Sequence, residues 1–358
     1  MTGGKKRKQS RTPTRHYMPP RGWKRNLMVA CVALCAGLLL WIASDWLSFR
    51  LTPARETYTF ATSFSTKQAR MLGNDWQANY TALLDDLKIR QFRLMSYWDE
   101  GEGSRGQYNF ADLDWQMNEA AKRGAKVSLA IGLRQPRWPE CHEPTWAKTL
   151  GKDEWKQSLY SYIETVVKRY QNHPALESFQ LENEALAWWF GDCREQPDAN
   201  RIKEEFRLVK SITMKPVWMS LSDQYGLSVN DPIPDAYGYS LYLYVYNKVI
   251  PGTYANPSPP VWFHRLRASV IDAMHHKPFF LHELQLEPWG PEEIKKLSEE
   301  QQNITMSPEQ IHYNLQFARK IGFDQVYTWG SEWWYWRKTH GSTTAWEAIR
   351  DEINDSRQ

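Results

Sequence analysis

Leu176-Glu-Ser-Phe-Gln-Leu-Glu-Asn-Glu184 is a short apolar run that ends on a carboxylate, and Trp188-Trp189 follow it closely. A run of this length reads as a buried strand leading into a loop. The same grammar recurs in Phe279-Phe-Leu-His-Glu283, followed by Leu-Gln-Leu-Glu-Pro-Trp289. Working outward, six further runs share the strand pattern: Thr59-Phe-Ala-Thr-Ser63, Gln91–Trp98, Lys126–Leu133, Pro216–Ser222, Ala236–Tyr242 and Gln325–Gly330. Amphipathic stretches lie between them, at Asp75–Lys88, Phe110–Arg123, Asp153–Gln171, Ala199–Ile212, Pro260–His276, Ser307–Ile321 and Thr344–Ile353. The interval Asp223–Pro234 is weak and reads as one short turn at most. Strand and helix in alternation argue for βα units and a parallel sheet. Eight such units over about 300 residues predict an α/β fold, a single (β/α)8 TIM barrel whose working face is the C-terminal rim of its strands. In this count Glu184 closes the fourth strand and Glu283 the seventh.

The N-terminus is a different kind of sequence. Residues 1–25 carry nine Lys or Arg and no acid, so the formal charge of +4 belongs to the tail and leaves 36 basic against 41 acidic groups elsewhere. A basic tail alone would fit nucleic acid, but this one abuts the uncharged run Asn26–Ser44. Some 18 apolar residues at about 1.5 Å each nearly span a bilayer core of roughly 30 Å. The organisation expected is a basic cytoplasmic tail (1–25), a transmembrane signal anchor through the lipid bilayer (26–48), a linker (49–56) and a catalytic domain (57–358). Flanking Lys and Arg hold the tail in the cytoplasm and place that domain outside it, in the periplasm or at the cell surface. The alternative is a cleaved signal peptide. Against it, no small-x-small site follows the run, Leu34 precedes Cys35 where a lipoprotein site wants a small residue, and Trp41, Trp46 and Phe49 resemble an interfacial belt.

Of the four cysteines, Cys31 and Cys35 fall within the anchor. Cys141 and Cys193 fall on loops at one end of the barrel and are disulfide candidates in an extracytoplasmic compartment. The chain holds 19 Trp and 18 Tyr, more aromatics than packing alone asks for, and exposed rings suit the C–H face of a sugar. His282-Glu283 opens like a zinc-protease motif, but the second His is absent: Leu286 stands at its place. Neither a metal nor a cofactor is expected, and no phosphate loop or nucleic-acid motif is present. Asn79-Tyr-Thr, Asn303-Ile-Thr and Asn354-Asp-Ser match the glycosylation pattern.

Two carboxylates at strand ends on one rim are the minimum equipment for cleaving a glycosidic bond. The sequence resembles, over nearly all of 57–350, the clan of (β/α)8 retaining glycoside hydrolases that contains the family 5 cellulases and mannanases and the β-galactosidases. The resemblance rests on Asn183-Glu184, on Glu283, on Phe92-Arg-Leu-Met-Ser-Tyr-Trp98, on Gly106-Gln-Tyr-Asn-Phe-Ala-Asp-Leu-Asp114 and on Trp329. It implies that Glu184 is the acid/base and Glu283 the nucleophile of a double displacement on a β-glycosidic bond. It further implies that Arg93 and a hydroxyl donor hold Glu283 as a carboxylate, that Asn183 bonds the sugar 2-hydroxyl, and that Trp329 floors the subsite. Tyr242 is the candidate donor, with Tyr239, Tyr244 and Tyr246 close by. Trp138, Trp188, Trp189, Trp289 and the cluster Trp333-Trp334-Tyr335-Trp336 would extend the site. Strand alternation puts Glu182 on the face of Glu184, one pleat deeper, and Glu287 lies four past Glu283. Where cellulase-like members carry His on the third strand and His-x-Tyr on the sixth, this chain reads Gly132-Leu-Arg134 and Ser240-Leu-Tyr242. The expected partner is an oligo- or polysaccharide; the alternatives are a transglycosylase and a catalytically silent glycan-binding barrel at the cell envelope.

Overall fold

The computed structural model describes residues 22–194, 197–221 and 232–355. Most of the basic tail, and most of the weak interval 223–234, lie outside the described residues. Eight parallel strands close into a barrel: β1 (Thr59–Ser63), β2 (Gln91–Met95), β3 (Lys126–Ile131), β4 (Leu176–Leu181), β5 (Val217–Ser220), β6 (Ala236–Leu241), β9 (Phe279–Gln285) and β10 (Gln325–Trp329). Between β6 and β9 a small hairpin, β7 (Val245–Tyr246) and β8 (Tyr254–Ala255), projects from the rim. The seventh and eighth barrel strands are therefore β9 and β10.

The outer helices follow from the seven amphipathic stretches: α3 (Trp76–Asp85), α5 (Ala111–Lys122), α6 (Lys152–Tyr170), α7 (Ala199–Ile212), α8 (Val261–His275), α10 (Pro308–Ile321) and α12 (Thr344–Asp355). Their starts carry the expected chemistry. Asp75 and Asp198 accept from the first free N–H groups of α3 and α7, and Ser307 caps α10 ahead of Pro308. Besides the N-terminal helix α1 (Trp23–Leu51), four α-helices among the described residues lie outside the seven stretches: α2 (Thr66–Leu72), α4 (Trp98–Gly101), α9 (Glu299–Met306) and α11 (Ser331–Thr339). Gly330 joins β10 to α11 at φ 125°, where an added Cβ would stand 2.7 Å from the Leu286 carbonyl oxygen.

The interior has two layers of packing. Between strands and helices lies the main apolar core, including Leu94, Leu129, Phe179, Leu281 and Val326. Ala61, Trp218, Ala236, Phe280 and Tyr327 form a second cluster; these five stand on barrel strands, and they plug the lumen beneath the rim.

The helix α1 (Trp23–Leu51) is 29 residues long, with a mean hydropathy of 2.4 over its most apolar window and no buried side chain. It is long and apolar enough to cross a membrane. It runs past residue 48, so the stretch expected as a linker is partly helical and belongs to the barrel's compact unit, which begins at Ser48. Phe49 packs on Tyr313 and Phe317 of α10, Lys320 Nζ donates to the Thr52 carbonyl at 2.7 Å, and Arg55 N–H donates to the Arg319 carbonyl at 2.9 Å.

Candidate active site

The seventh barrel strand is irregular where it matters. Its register with β6 steps from Tyr239↔Leu281 to Ser240↔Glu283, and with β10 from Val326↔Leu281 to Thr328↔Leu284, so β9 carries one extra residue at His282-Glu283. In a regular strand Phe280 and His282 would face the lumen and Glu283 would face the helices. The extra residue re-aims Glu283, and both it and His282 meet Arg93. Arg93, fully buried on β2, donates Nη2–H to Glu283 Oε1 at 2.8 Å and Nε–H to Ser63 Oγ at 2.9 Å, with Nη1 3.1 Å from the His282 ring nitrogens. Burial, and then the Arg93 charge, hold His282 well below the usual imidazole range, so it faces the guanidinium as a neutral ring. The other oxygen of Glu283 accepts from Tyr242 O–H at 2.7 Å. Burial, followed by the charge on Glu283, pushes that phenol well above its ordinary value and keeps it a donor. Trp289 stands edge-on to Tyr242, ring centroids 5.1 Å apart.

The fourth strand ends at Leu181, and Glu182 and Glu184 then take left-handed backbone angles, φ 54° and 44°. That departure undoes the alternation expected from sequence, and the two carboxylates part company. Glu182 accepts from the Leu133 and Arg134 N–H groups at 2.7 and 2.9 Å and is salt-bridged to Arg201 of α7 at 2.9 Å, tying β3, β4 and α7 together. Glu184 instead accepts from Ser240 Oγ at 2.9 Å, while its own N–H donates to Ser220 Oγ at 2.7 Å. Ser240 is the register partner of Glu283, so Glu184 and Glu283 flank one residue of β6. Burial raises the Glu184 pKa well above the carboxylate range, and the charges of Glu283 and then Glu140 raise it further.

Glu140 is the residue that sequence reasoning missed. It lies on the loop after β3, at φ 70°, and its Oε2 accepts from Asn183 Nδ2 at 3.2 Å. Burial, then Glu283, raise its pKa to about 8. The only signal in the sequence was its place between Trp138-Pro139 and Cys141. Asn183 is held at its other end too, where Oδ1 accepts from Gln180 Nε2 at 3.3 Å and Ser220 Oγ at 3.4 Å. Cys141 and Cys193 are joined by a disulfide, Cα atoms 5.2 Å apart, which clasps the loop of Glu140 to the loop after Glu184.

The remaining expected residues divide. Trp138 and Trp188 stand exposed on these two clasped loops. Trp329 is buried, with the Arg137 guanidinium 3.9 Å above its ring and its Nε1–H donated to Glu287 Oε1 at 2.7 Å, so one of its faces is closed to any ligand. Glu287 is buried and paired with Arg137, which also bridges to Glu332 at 2.7 Å. Trp333 and Trp334 are not part of the mouth: both are fully buried on α11, with indole N–H groups donated to Gln302 and to the Leu286 carbonyl. Asn79 is buried as well, which removes it as an attachment point for glycan. Among the described residues no group of three or more His, Cys, Asp or Glu side chains is placed to hold a metal.

No protein-family model matches the chain, and no curated protein matches its sequence. Solved structures do match. A GH5_18 protein from Streptomyces cattleya, solved with GlcNAc, superposes with TM-score 0.57 at 13% identity, over 86% of this chain and 82% of its own. A GH10 endo-β-1,4-xylanase from Gloeophyllum trabeum gives 0.54 at 15% identity, over 85% and 98%. The chain spans about half the length (51%) of a cold-adapted β-galactosidase from Rahnella sp. R3, at TM-score 0.48 and 15% identity over 78% of this chain. The likeness is one of fold, a closed eight-stranded (β/α)8 barrel shared with these glycoside hydrolases.

Proposed function

We propose that the protein is a membrane-anchored retaining β-glycosidase. Glu184 is its acid/base, Glu283 its nucleophile, and an oligo- or polysaccharide its substrate. The observation that carries this reading is the contrast between the two carboxyl groups. Glu283 is gripped by one guanidinium and one phenol, one on each oxygen. Glu184 accepts a bond from a serine hydroxyl, and its acidity is depressed by burial and by neighbouring carboxylates. Two titratable groups whose surroundings differ in this way divide into acid and base roles.

In the first step Glu283 attacks the anomeric carbon while Glu184 gives its proton to the departing glycosidic oxygen, leaving a glycosyl ester on Glu283. Water then attacks that ester, passing a proton to Glu184, and the free sugar and both carboxyl groups return to their starting states. Asn183, fixed at both ends of its amide, is suited to bond the 2-hydroxyl, a contact that strengthens in the transition state. Exposed Trp138 and Trp188, with half-buried Trp289, offer ring faces to neighbouring sugar units.

Residues 26–48 are the membrane span in this reading, the basic residues 1–25 remain in the cytoplasm, and 57–358 work outside it. The Cys141–Cys193 bridge suits an oxidising compartment. Chemical rescue tests the acid/base assignment. Glu184→Ala is expected to lose activity on poor leaving groups and to regain turnover with azide on activated aryl β-glycosides, yielding the β-glycosyl azide. Failure of azide to restore turnover would remove Glu184 from that role.

A further inference from the structure

Among the described residues, α8 is the one barrel helix with more than a single exposed large apolar side chain. Trp262, Leu266, Val270 and Met274 recur every fourth residue, the spacing that forms a row along one side of a helix. Leu266 is 53% exposed, Val270 36% and Met274 50%. The opposite side of the same helix is ordinary core, with Val261, His264, Arg267 and Ile271 buried. An apolar row of this kind is not needed to hold the barrel, and water disfavours it.

The same βα unit exposes a second apolar point. The β7–β8 hairpin ends in Lys248-Val249-Ile250, with Val249 88% and Ile250 58% exposed. This tip is built rather than loose. Asn247 Oδ1 accepts the N–H groups of Val249 and Ile250 at 2.9 and 3.1 Å, Thr253 Oγ1 donates to the Ile250 carbonyl at 2.7 Å, and Gly252 N–H donates to Tyr246 O–H at 3.2 Å. Its base is rooted beside the site, through Tyr246 N–H to the Trp289 carbonyl at 3.1 Å and Leu243 N–H to Gln285 Oε1 at 3.0 Å. Aliphatic side chains have neither the ring faces nor the polar atoms that bind sugar, so a polysaccharide does not account for the tip.

The barrel's own first residues indicate the partner. Phe49 sits on Phe317 of α10, and Phe317 also touches His264 of α8, at centroid distances of 6.0 Å for both pairs. The uncharged run of α1 ends at Ser44, five residues before Phe49. Even fully extended, that tether reaches about 17 Å. A bilayer holding α1 therefore lies within reach of the α8–α10 side. The hairpin tip and α8 expose the cations Lys248 and Arg265 against one acid, Asp272, and these cations suit lipid phosphates.

We propose that the hairpin tip and the outer row of α8 rest in the interfacial layer of the bilayer, an inference that depends on α1 being a membrane span. The catalytic mouth then opens beside the lipid headgroups. Val249 and Ile250 act as a wedge among them, and Leu266, Val270 and Met274 lie along the surface as an amphipathic helix does.

Depth-resolved quenching tests this. Full-length chain with Cys31→Ala and Cys35→Ala receives one new cysteine at a time, Leu39→Cys, Ile250→Cys, Met274→Cys or Lys122→Cys, each labelled with an environment-sensitive nitrobenzoxadiazole dye. Lys122 ends α5, after β2, four strands around the barrel from β6. In nanodiscs of phosphatidylcholine and phosphatidylglycerol, doxyl lipids are expected to quench the dye at 39, 250 and 274 at least twofold more than at 122. Quenching at 39 with 250 and 274 no different from 122 overturns the docking surface and leaves the anchor standing. No quenching at 39 overturns the anchor and the docking surface with it.

Discussion

Replacing Glu140 with Gln removes one charge and almost no volume, and the amide oxygen still accepts from Asn183 Nδ2. The structure sets the size of the effect. A carboxyl group whose pKa rises from 4.5 to about 8 on folding is disfavoured in its ionised form by roughly 5 kcal/mol. The sign follows from linkage: the folded state binds the proton more tightly than the unfolded one. The stabilisation is complete below the unfolded value and is lost as pH rises through the folded value. Wild type should therefore lose about 1.4 kcal/mol per pH unit from this group between 4.5 and about 8. Near neutral pH the accumulated loss is about 3 kcal/mol, and Glu140→Gln escapes it. Urea unfolding of the full-length proteins in detergent, followed by tryptophan fluorescence across this range, gives the difference curve, in which the titrating groups that do not interact with Glu140 cancel. Removing the Glu140 charge also lowers the Glu184 pKa, so the alkaline limb of activity should move to lower pH. Parallel stability curves for the two proteins, or an alkaline limb that moves upward, would refute the reasoning.

Other substitutions probe the supports of the site. Arg93→Met strands the buried Glu283 carboxylate and should cost about 3–5 kcal/mol in urea unfolding, with activity abolished. Opening the clasp with Cys141→Ala and Cys193→Ala together releases a 52-residue loop, which should cost about 4 kcal/mol and lower the melting temperature of the oxidised protein to that of the reduced one. Gly330→Ala meets both a left-handed backbone and the Leu286 carbonyl oxygen at 2.7 Å; a loss of about 1–3 kcal/mol from the backbone term alone should appear as a lower unfolding midpoint.

The barrel was legible because each buried strand is a short apolar run bounded by polar turns: seven of the eight barrel strands fall within the runs read from sequence, and β9 outlasts its run by two residues, to Gln285. Periodicity also found the long helices, but α9 and α11 do not announce themselves by it. α9 is mostly polar and is held by a capping box between Ser298 and Gln301. The residues of α11 are so aromatic that they read as a sugar-binding loop, whereas two of those indoles fill the core. The pairing of Glu283 with Arg93 was anticipated from the resemblance alone, since the extra residue in β9 that aims Glu283 inward defeats simple alternation. Left-handed angles at Glu182 and Glu184 defeat it in the same way on the fourth strand. Glu140 belongs to no periodic element; its closeness to Asn183 arises from a loop fold and a disulfide that join residues far apart in sequence.

Covalent attachment of sugar to Glu283 is the step on which the proposed double displacement depends. A panel of activated 2-deoxy-2-fluoro β-glycosides, incubated with the full-length protein and followed by intact mass and peptide mapping, reads that bond directly. The expected result is a single fluoroglycosyl adduct on the peptide containing Glu283, absent from Glu283→Gln. An adduct mapped to any other carboxylate, or one that persists in Glu283→Gln, would contradict it.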